Sequence, residues 1–290
     1  MIEAGRILVA GGAGRLGSAL ARLGGNAPGR DQLDITDASK ITAAIEQSAP
    51  SAVINAAAYT NVDGAETESD LANRINAYGA GTLARLCAVA GIPLLHVSTD
   101  MVFSEGDPEL PISETARPAP NSVYGESKLE GEMQVRAAGG RHCITRVSWL
   151  FSDEGESFIS KILAVGAKRG QLDLVDDEYG RPTHVDPLAA HLVQLAQMLA
   201  DGTAVPGLLH LGPADPVSRY GWAKEIFSVA EKAGGPSPEL KPVPGSHFPT
   251  PAARARGVIL DVNQADALLG PMPAWHPFSE TVVHKLLERG

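Results

Sequence analysis

Three glycines, each three residues apart, follow the first apolar run of the chain. The segment VAGGAGRLG places Gly11, Gly14 and Gly17 between a strand-like run, RILVAGG (6–12), and a stretch with helical spacing, RLGSALARLGG (15–25). Because glycine has no Cβ, such a loop turns sharply and approaches a pyrophosphate closely at the start of a helix. A tight strand–helix turn without a ligand is the alternative. The loop opens an alternating strand–helix pattern, so we favour dinucleotide binding.

Apolar runs typical of buried strands alternate with helical stretches up to about residue 150. The later strand-like runs are SAVINAAAY (51–59), PLLHVSTD (93–100) and RHCITRVSW (141–149). This alternation predicts an α/β fold with a doubly wound parallel (Rossmann) sheet. The pattern then becomes less regular, which indicates a smaller C-terminal α/β lobe. Within it, the Pro-rich tract 234–255 is predicted to be poor in regular structure, either an ordered loop over a site or a linker.

Composition excludes several classes of partner. The 290 residues are 44% hydrophobic and 20% charged, as in soluble globular proteins, with a net charge of −10. Without a long Lys or Arg cluster, neither nucleic acid nor an anionic membrane is expected as the main partner. Cys87 and Cys143 lie in apolar segments and are interpreted as buried free thiols, with a disulfide as the alternative. Together with an early first strand and no apolar run of about 20 residues, this favours a cytoplasmic protein without a signal peptide.

The segment after the first helix bears on the choice of dinucleotide. GGNAPGRDQLDITD (24–37) is barely a strand, and Arg30 stands where an acid for the adenosine ribose is expected. A guanidinium pairs with a 2′-phosphate, whereas a carboxylate repels it. NADPH is therefore favoured, with NADH as the alternative because Asp31 is adjacent. Asp37 is the better N-cap for the next helix, which leaves Asp34 free to lie near the adenine.

Tyr124 and Lys128, in NSVYGESKLEGE (121–132), are four residues apart and share one face of a predicted helix. A phenol titrates near pH 10, about three units too high for ready proton exchange at neutrality. A neighbouring ammonium lowers that pKa and makes the tyrosine a usable acid. This spacing also occurs by chance in many helices. Combined with the glycine loop and with Thr99 in STD at a strand end, it predicts a catalytic pair.

Eight segments resemble one family in order along nearly the whole chain. They are GGAGRLG, NAAAYTNVDGAE, INAYGAGTLA, HVSTDMVF, NSVYGESKLEGE, TRVSWLF, EYGRPT and FPTPAARA. These segments are similar to those of the dTDP-4-dehydrorhamnose reductase family, which are extended short-chain dehydrogenases/reductases. The resemblance implies NAD(P)H-dependent reduction of the C4 keto group of a nucleotide-linked 4-keto-6-deoxysugar, dTDP-4-dehydro-L-rhamnose giving dTDP-L-rhamnose. We assign the dinucleotide-binding domain to 1–152 and roughly 184–212, and the substrate-binding domain to roughly 153–183 and 213–290.

The resemblance also implies roles for individual residues. Tyr124 donates a proton to the C4 oxygen, Lys128 lowers its pKa and holds the nicotinamide ribose, and Thr99 hydrogen-bonds the carbonyl. Further cofactor contacts are expected from Gly11, Gly14, Arg15, Leu16, Gly17, Arg30, Asp34, Ile35, Ala56, Ala57, Ala58 and Val97. Substrate contacts are expected from Thr99, Asp100, Trp149, Arg181 and Arg254, the two arginines as candidates for the nucleotide diphosphate.

Some features depart from the family pattern and leave alternatives open. Met101 stands where the family commonly has an aromatic residue. Some relatives bridge a dimer through Mg²⁺ with a carboxylate that the segment GSALARLGG lacks, so no metal is predicted and a homodimer stays an open alternative. A reductase or epimerase for another nucleotide deoxysugar is one alternative. A nucleotide-binding regulatory subunit, as for methionine adenosyltransferase, is another, but it would not require Thr99, Tyr124 and Lys128 together.

Overall fold

The structure is a computed structural model that describes residues 6–289. Residues 1–5 and 290, which begin and end the two predicted domains, lie outside the described residues. The described strands are β1 (Ile7–Ala10), β2 (Ala52–Asn55), β3 (Leu94–Thr99), β4 (His142–Val147), β5 (Leu150–Phe151), β6 (Gln171–Val175), β7 (Tyr179–Gly180), β8 (Thr183–His184), β9 (Leu208–His210), β10 (Val217–Ser218) and β11 (Glu239–Val243). The described helices are α1 (Arg15–Arg22), α2 (Ala38–Ser48), α3 (Val62–Ala65), α4 (Ser69–Asn73), α5 (Ala80–Val89), α6 (Val123–Ala137), α7 (Phe158–Gly166), α8 (Val185–Ala200), α9 (Arg219–Lys232), α10 (Asn263–Leu269) and α11 (His276–Glu288).

Within residues 6–289, a five-stranded parallel sheet has the strand order β1–β2–β3–β4–β9. Every residue of β1 and β2 is buried, as expected for strands covered on both faces. The predicted α/β fold with a doubly wound parallel sheet is confirmed. The segment predicted to be barely a strand contributes one bridge, between Asn26 and Leu8. Pro28, two residues further on, has no N–H with which to continue that pairing.

Helices cover both faces of the sheet. Ile7 and Val9 of β1 pack in one core cluster with α1 and α8, while Leu8 and Ala10 pack in another with α2 and α5. Successive side chains of a strand point to opposite faces, so both clusters follow from one apolar run. The carboxyl ends of the strands stay open at one edge, which is where parallel α/β sheets bind ligands.

The C-terminal lobe has a core of its own. Trp222 and Trp275 are 1% and 2% exposed and pack with Phe227. Helix α8 and strand β9 return to the sheet. Ala265 of α10 also packs on the sheet core. We propose that the chain has the two predicted domains, except that α10 belongs to the dinucleotide-binding domain.

The Pro-rich tract 234–255 contains more regular structure than predicted. Strand β11 pairs in parallel with β6, with Pro242 opposite Leu174. The prediction was wrong here because a strand at the edge of a two-stranded sheet needs hydrogen bonds on one side only and tolerates proline. Arg254 and Ala255, at the end of the tract, line a cavity described below.

The two cysteines agree with the sequence analysis. Cys87 and Cys143 are buried free thiols, as predicted. Burial raises the pKa of both thiols to about 12, so they stay protonated and unreactive near neutral pH. In the described part of the chain, no helix is both long enough and apolar enough to cross a bilayer.

A buried ion pair fixes helix α6 on the sheet. The Arg146 guanidinium on β4 donates to both carboxylate oxygens of Glu132 on α6, at 2.8 and 2.7 Å. The Ser98 hydroxyl on β3 donates to the same carboxylate at 2.7 Å. Glu132 is 0% and Arg146 1% exposed, so neither charge has water as an alternative partner. Removing one member of such a pair leaves the other charge buried and uncompensated.

We expect the Glu132→Gln substitution to lower the free energy of unfolding by about 3 kcal/mol, because Arg146 would keep a buried charge without its counterion. Urea denaturation followed by circular dichroism measures this loss. The matched control is Glu126→Gln, which removes an exposed carboxylate from the same helix and should cost less than about 1 kcal/mol. Equal losses for the two variants would contradict a role for the ion pair in anchoring α6.

Candidate active site

A cavity of about 710 Å³ opens at the carboxyl ends of the strands, against the C-terminal lobe. Its volume is typical of small-molecule sites. The predicted site residues that line it are Gly11, Gly14, Arg15, Leu16, Arg30, Asp34, Ile35, Ala56, Ala57, Ala58, Val97, Thr99, Asp100, Tyr124, Lys128, Trp149 and Arg254. The structure therefore brings most of the predicted residues together, and their individual roles remain proposals. Gly17 and Arg181 do not line the cavity.

The glycine loop forms a cradle at the start of α1. Gly11 has a φ of +86°, which favours glycine, and its carbonyl accepts a hydrogen bond from the Gly14 amide at 3.0 Å. A Cβ on Gly12 would overlap the Ala27 carbonyl, and one on Gly17 would overlap the Gly11 carbonyl. Among residues 6–289, no side chain caps this end of α1, so its first amides can donate to an anion. These features fit a dinucleotide pyrophosphate.

Gly17 differs from the other predicted loop contacts. It lies behind the loop, where it allows α1 to pack directly on the Gly11 carbonyl. The expected direct contact with the cofactor is therefore corrected to close helix–loop packing, which also needs a residue without a Cβ.

Asp34 and Arg30 form one unit at the far end of the loop. The Asp34 carboxylate accepts hydrogen bonds from the Thr36 amide at 2.9 Å and hydroxyl at 2.8 Å, and from Arg30 Nε at 2.9 Å. Burial raises the pKa of Asp34, but these bonds and the Arg30 charge outweigh it and lower the pKa to about 2. The carboxylate thus stays charged and orients the guanidinium. Asp37 caps α2, as predicted, by accepting from the Ser39 and Lys40 amides.

The small residues of the cavity wall are held by a buried pair that the sequence analysis missed. Asn55 Oδ1 accepts a hydrogen bond from the Ala57 amide at 3.1 Å, and Asn55 Nδ2 lies 3.0 Å from Nδ1 of His96. Burial lowers the pKa of His96 far below its usual range, so the ring is neutral and Nδ1 accepts. The strand-end asparagine in NAAA was the available signal. The Asn55 side chain fixes the position of the alanines that line the cavity.

Tyr124, Thr99 and Lys128 meet where α6 begins beside the end of β3. Ser122 caps α6, and Tyr124 and Lys128 lie on its inner face, 9% and 2% exposed. Lys128 Nζ donates to the Val97 carbonyl at 2.8 Å. The Thr99 hydroxyl donates to Asp100 Oδ1 at 3.0 Å and accepts from the Met101 amide at 3.1 Å. The Tyr–Lys spacing therefore does place both side chains at one cavity wall.

The protonation state of this group differs from the expectation. Burial, followed by the Asp100 charge, raises the pKa of Tyr124 to about 12, and the Thr99 hydroxyl offsets only part of this. Burial lowers the pKa of Lys128 to about 8 and raises that of Asp100 to about 6. The expected lowering of the Tyr124 pKa by Lys128 was therefore wrong for this structure, because burial of the phenol dominates. At neutral pH Tyr124 holds its proton and Lys128 can supply one.

Arg181 does not lie in the cavity where it was predicted. Its guanidinium donates to the carbonyls of Leu260 at 2.9 Å and Pro213 at 2.8 Å, and to that of Ala214. The residue is 5% exposed and joins loops of the C-terminal lobe. The prediction that Arg181 contacts the diphosphate was therefore wrong. Arg254 does reach the cavity, where it donates to Asp63 at 2.8 Å.

The sequence analysis also missed Glu178, Tyr179 and Arg219, which line the cavity from the C-terminal lobe. The Arg219 guanidinium lies 3.5 Å from the centroid of the Trp149 ring. Trp149 itself has a φ of +49°, a strained value for a bulky residue and one found most often at functional sites. Glu178 and Tyr179 stand in the quoted segment EYGRPT, which was the available signal, whereas no motif marks Arg219 at the start of α9.

The parallel sheet, the glycine loop and the buried Tyr124–Lys128 pair define a short-chain dehydrogenase/reductase with an added C-terminal lobe. The family model described as the RmlD substrate binding domain matches residues 5–288, and the chain belongs to this family.

Curated relatives and a solved structure agree with that assignment. The dTDP-4-dehydrorhamnose reductase of Mycobacterium tuberculosis is 37% identical over 282 residues, which cover 93% of this chain and 90% of that protein. The one from Sinorhizobium fredii is 34% identical over 265 residues, covering 90% and 89%. The crystal structure of the Bacillus anthracis dTDP-4-dehydrorhamnose reductase in complex with NADP has a TM-score of 0.84 and 31% identity, with 98% of this chain and 99% of that chain covered.

We expect Gly17→Ala to weaken NADPH binding by about tenfold or more, because displacement of the loop loses at least one hydrogen bond to a charged phosphate. Fluorescence titration with NADPH measures the dissociation constant. Alanine favours helices over glycine by about 1 kcal/mol, so helix propensity cannot explain a loss.

The control for this substitution is Gly29→Ala, since a Cβ on the exposed Gly29 would meet no atom within 4 Å. This variant should bind NADPH as the wild type does. If Gly17→Ala bound NADPH equally well, the loop would not depend on the close packing of α1.

Proposed function

We propose that this chain is an NADPH-dependent reductase of the C4 keto group of a nucleotide-linked 4-keto-6-deoxysugar. The proposed substrate is dTDP-4-dehydro-L-rhamnose and the product dTDP-L-rhamnose. One observation carries the proposal: a single cavity has a dinucleotide cradle at one end and the buried Tyr124–Thr99 pair at the other. Relatives named for this reaction match about nine tenths of the chain.

The cofactor end of the cavity supports NADPH. The Gly11–Gly14 loop and the first amides of α1 would hold the pyrophosphate, and the alanines at 56–58 leave room along the wall. Arg30, oriented by Asp34, would pair with the 2′-phosphate that distinguishes NADPH from NADH. When bound, NADPH supplies the hydride that reduces C4.

The residues at the other end would manage the proton. Tyr124 Oη gives its proton to the C4 oxygen. The Thr99 hydroxyl, which donates to Asp100 in this structure, would turn to donate to the same oxygen as negative charge develops there. Lys128, which lines the same cavity, would return a proton to the resulting phenolate, because its pKa of about 8 lies close to neutral pH.

Further roles follow from the position of each residue in the cavity wall. We assign Asp100 and Trp149 to the deoxysugar and Arg254 to the nucleotide diphosphate. A cytoplasmic location and a homodimer are proposed from the family resemblance. A reductase for another nucleotide deoxysugar is the second candidate, because Met101 lines the cavity where the family commonly has an aromatic residue.

We expect Tyr124→Phe to lower kcat by about 10²–10⁴-fold, the usual contribution of a positioned proton donor. The assay follows the loss of reduced nicotinamide absorbance with dTDP-4-dehydro-L-rhamnose, with NADPH and NADH in parallel. NADPH binding should be unchanged, because the substitution removes one oxygen. Tyr78→Phe, the same change at a residue 63% exposed, is the control and should leave kcat unchanged.

Three results would contradict the proposal. Wild-type protein that binds NADPH but does not oxidise it with this substrate would redirect the search to other keto sugars. Failure with every 4-keto sugar would support a regulatory, nucleotide-binding role. A Tyr124→Phe variant with full activity would remove the assigned proton donor.

A further inference from the structure

Two charged side chains of the C-terminal lobe lie in the cavity wall with hydrogen-bonding capacity to spare. Arg219 is the first residue of α9, and Glu178 precedes β7. The antiparallel pairing of β10 with β7 brings them together, and the Arg219 amide donates to the Glu178 carbonyl at 3.1 Å. Arg219 Nε lies 3.8 Å from a carboxylate oxygen of Glu178, which is an ion pair but too long for a hydrogen bond.

Among residues 6–289, neither side chain has a hydrogen-bond partner in the protein. The other two arginines considered for the substrate differ in this respect. Arg181 donates to three backbone carbonyls, and Arg254 donates to Asp63 and to the Ala252 carbonyl. A guanidinium is always charged and carries five N–H donors, so an arginine that faces a cavity without acceptors is suited to bind ligand oxygens.

Aromatic rings fix the Arg219 guanidinium in place. It lies 3.5 Å from the centroid of the Trp149 ring and 5.1 Å from that of Phe158. Trp149 stacks on Trp222, and a Cβ on Gly180 would overlap the Trp149 indole. Stacking on an aromatic face immobilises arginine, so little entropy remains to be lost when its N–H groups bind a ligand.

The charges of this corner favour a neutral polyol over a diphosphate. Arg254 also acts on the charge of Arg219, but its guanidinium is paired with Asp63. Two carboxyl groups, those of Glu178 and Asp100, line the cavity near Arg219. They would repel a phosphate, whereas a sugar hydroxyl both donates to a carboxylate and accepts from a guanidinium.

We propose that Arg219 and Glu178 bind hydroxyl groups of the sugar ring and so determine which 4-keto-6-deoxysugar the site accepts. This inference rests on the proposed function. It assigns the diphosphate to another part of the cavity. A substitution at Arg219 should therefore weaken the binding of a nucleotide sugar more than the binding of the nucleotide diphosphate alone.

The test is calorimetric titration of the full chain with dTDP-L-rhamnose and with dTDP, both without added nicotinamide. We expect Arg219→Met to weaken dTDP-L-rhamnose by about 10–100-fold, as for the loss of hydrogen bonds to a charged group, and to leave dTDP within about twofold. Glu178→Gln should also weaken the sugar ligand selectively. Arg256→Met is the control, because it removes the same charge from an exposed residue that does not line the cavity.

Equal weakening of both ligands by Arg219→Met would show that Arg219 binds the diphosphate and would overturn the inference. No weakening of either ligand would overturn it as well. NADPH binding reports whether the fold is intact. If the Arg219→Met variant no longer bound NADPH, the two ligands would be compared with Arg219→Lys and Glu178→Gln instead, and the same outcomes would decide. If wild-type protein binds dTDP as tightly as dTDP-L-rhamnose, the sugar adds no binding affinity, and this result would overturn the inference. Wild-type protein that binds neither ligand overturns the proposed function with it.

Discussion

The contact between helix α6 and the ends of β3 and β4 is the constraint on which the site depends. The Glu132 carboxylate, bound by Arg146 and Ser98, fixes the middle of the helix on the sheet. Lys128 Nζ binds the Val97 carbonyl at the helix start. Gly131 lets the helix approach so closely that a Cβ there would overlap the Asn76 carbonyl. With the helix held at these points, Tyr124 can stand buried beside Thr99, where a proton donor and a hydroxyl can share one substrate oxygen.

The features set by short-range patterns were predictable from the sequence. An apolar run ending in glycines gave the first strand and the phosphate cradle, because both need residue types that a local segment displays. The i,i+4 spacing of Tyr124 and Lys128 placed both on one helix face, and Asp37 was identified as a cap by its position before an amphipathic helix. Parallel strands end at one edge, so residues distant in sequence were expected in one cavity, and most of them line it.

The features set by long-range contacts were not predictable. An arginine in a loop carries no local sign of whether its donors meet carbonyls or a cavity, and this separates Arg181 from Arg219. Gly17 follows the glycine pattern, yet it packs on the loop instead of lining the cavity. The pKa of Tyr124 depends on burial, which composition does not reveal, so the expected effect of Lys128 was overestimated. The pairing of β11 with β6 joins segments that share no pattern in sequence.

The central claim is that the cavity delivers a hydride and a proton to the two ends of the same C4–O bond. The most direct measurement is reduction of dTDP-4-dehydro-L-rhamnose with NADPH carrying deuterium at the nicotinamide C4, prepared in both configurations, followed by NMR of the product. We expect one of the two preparations to give dTDP-L-rhamnose with deuterium at sugar C4 and at no other carbon. Product without deuterium at C4 from either preparation, or with deuterium at C3 or C5, would contradict direct reduction at C4.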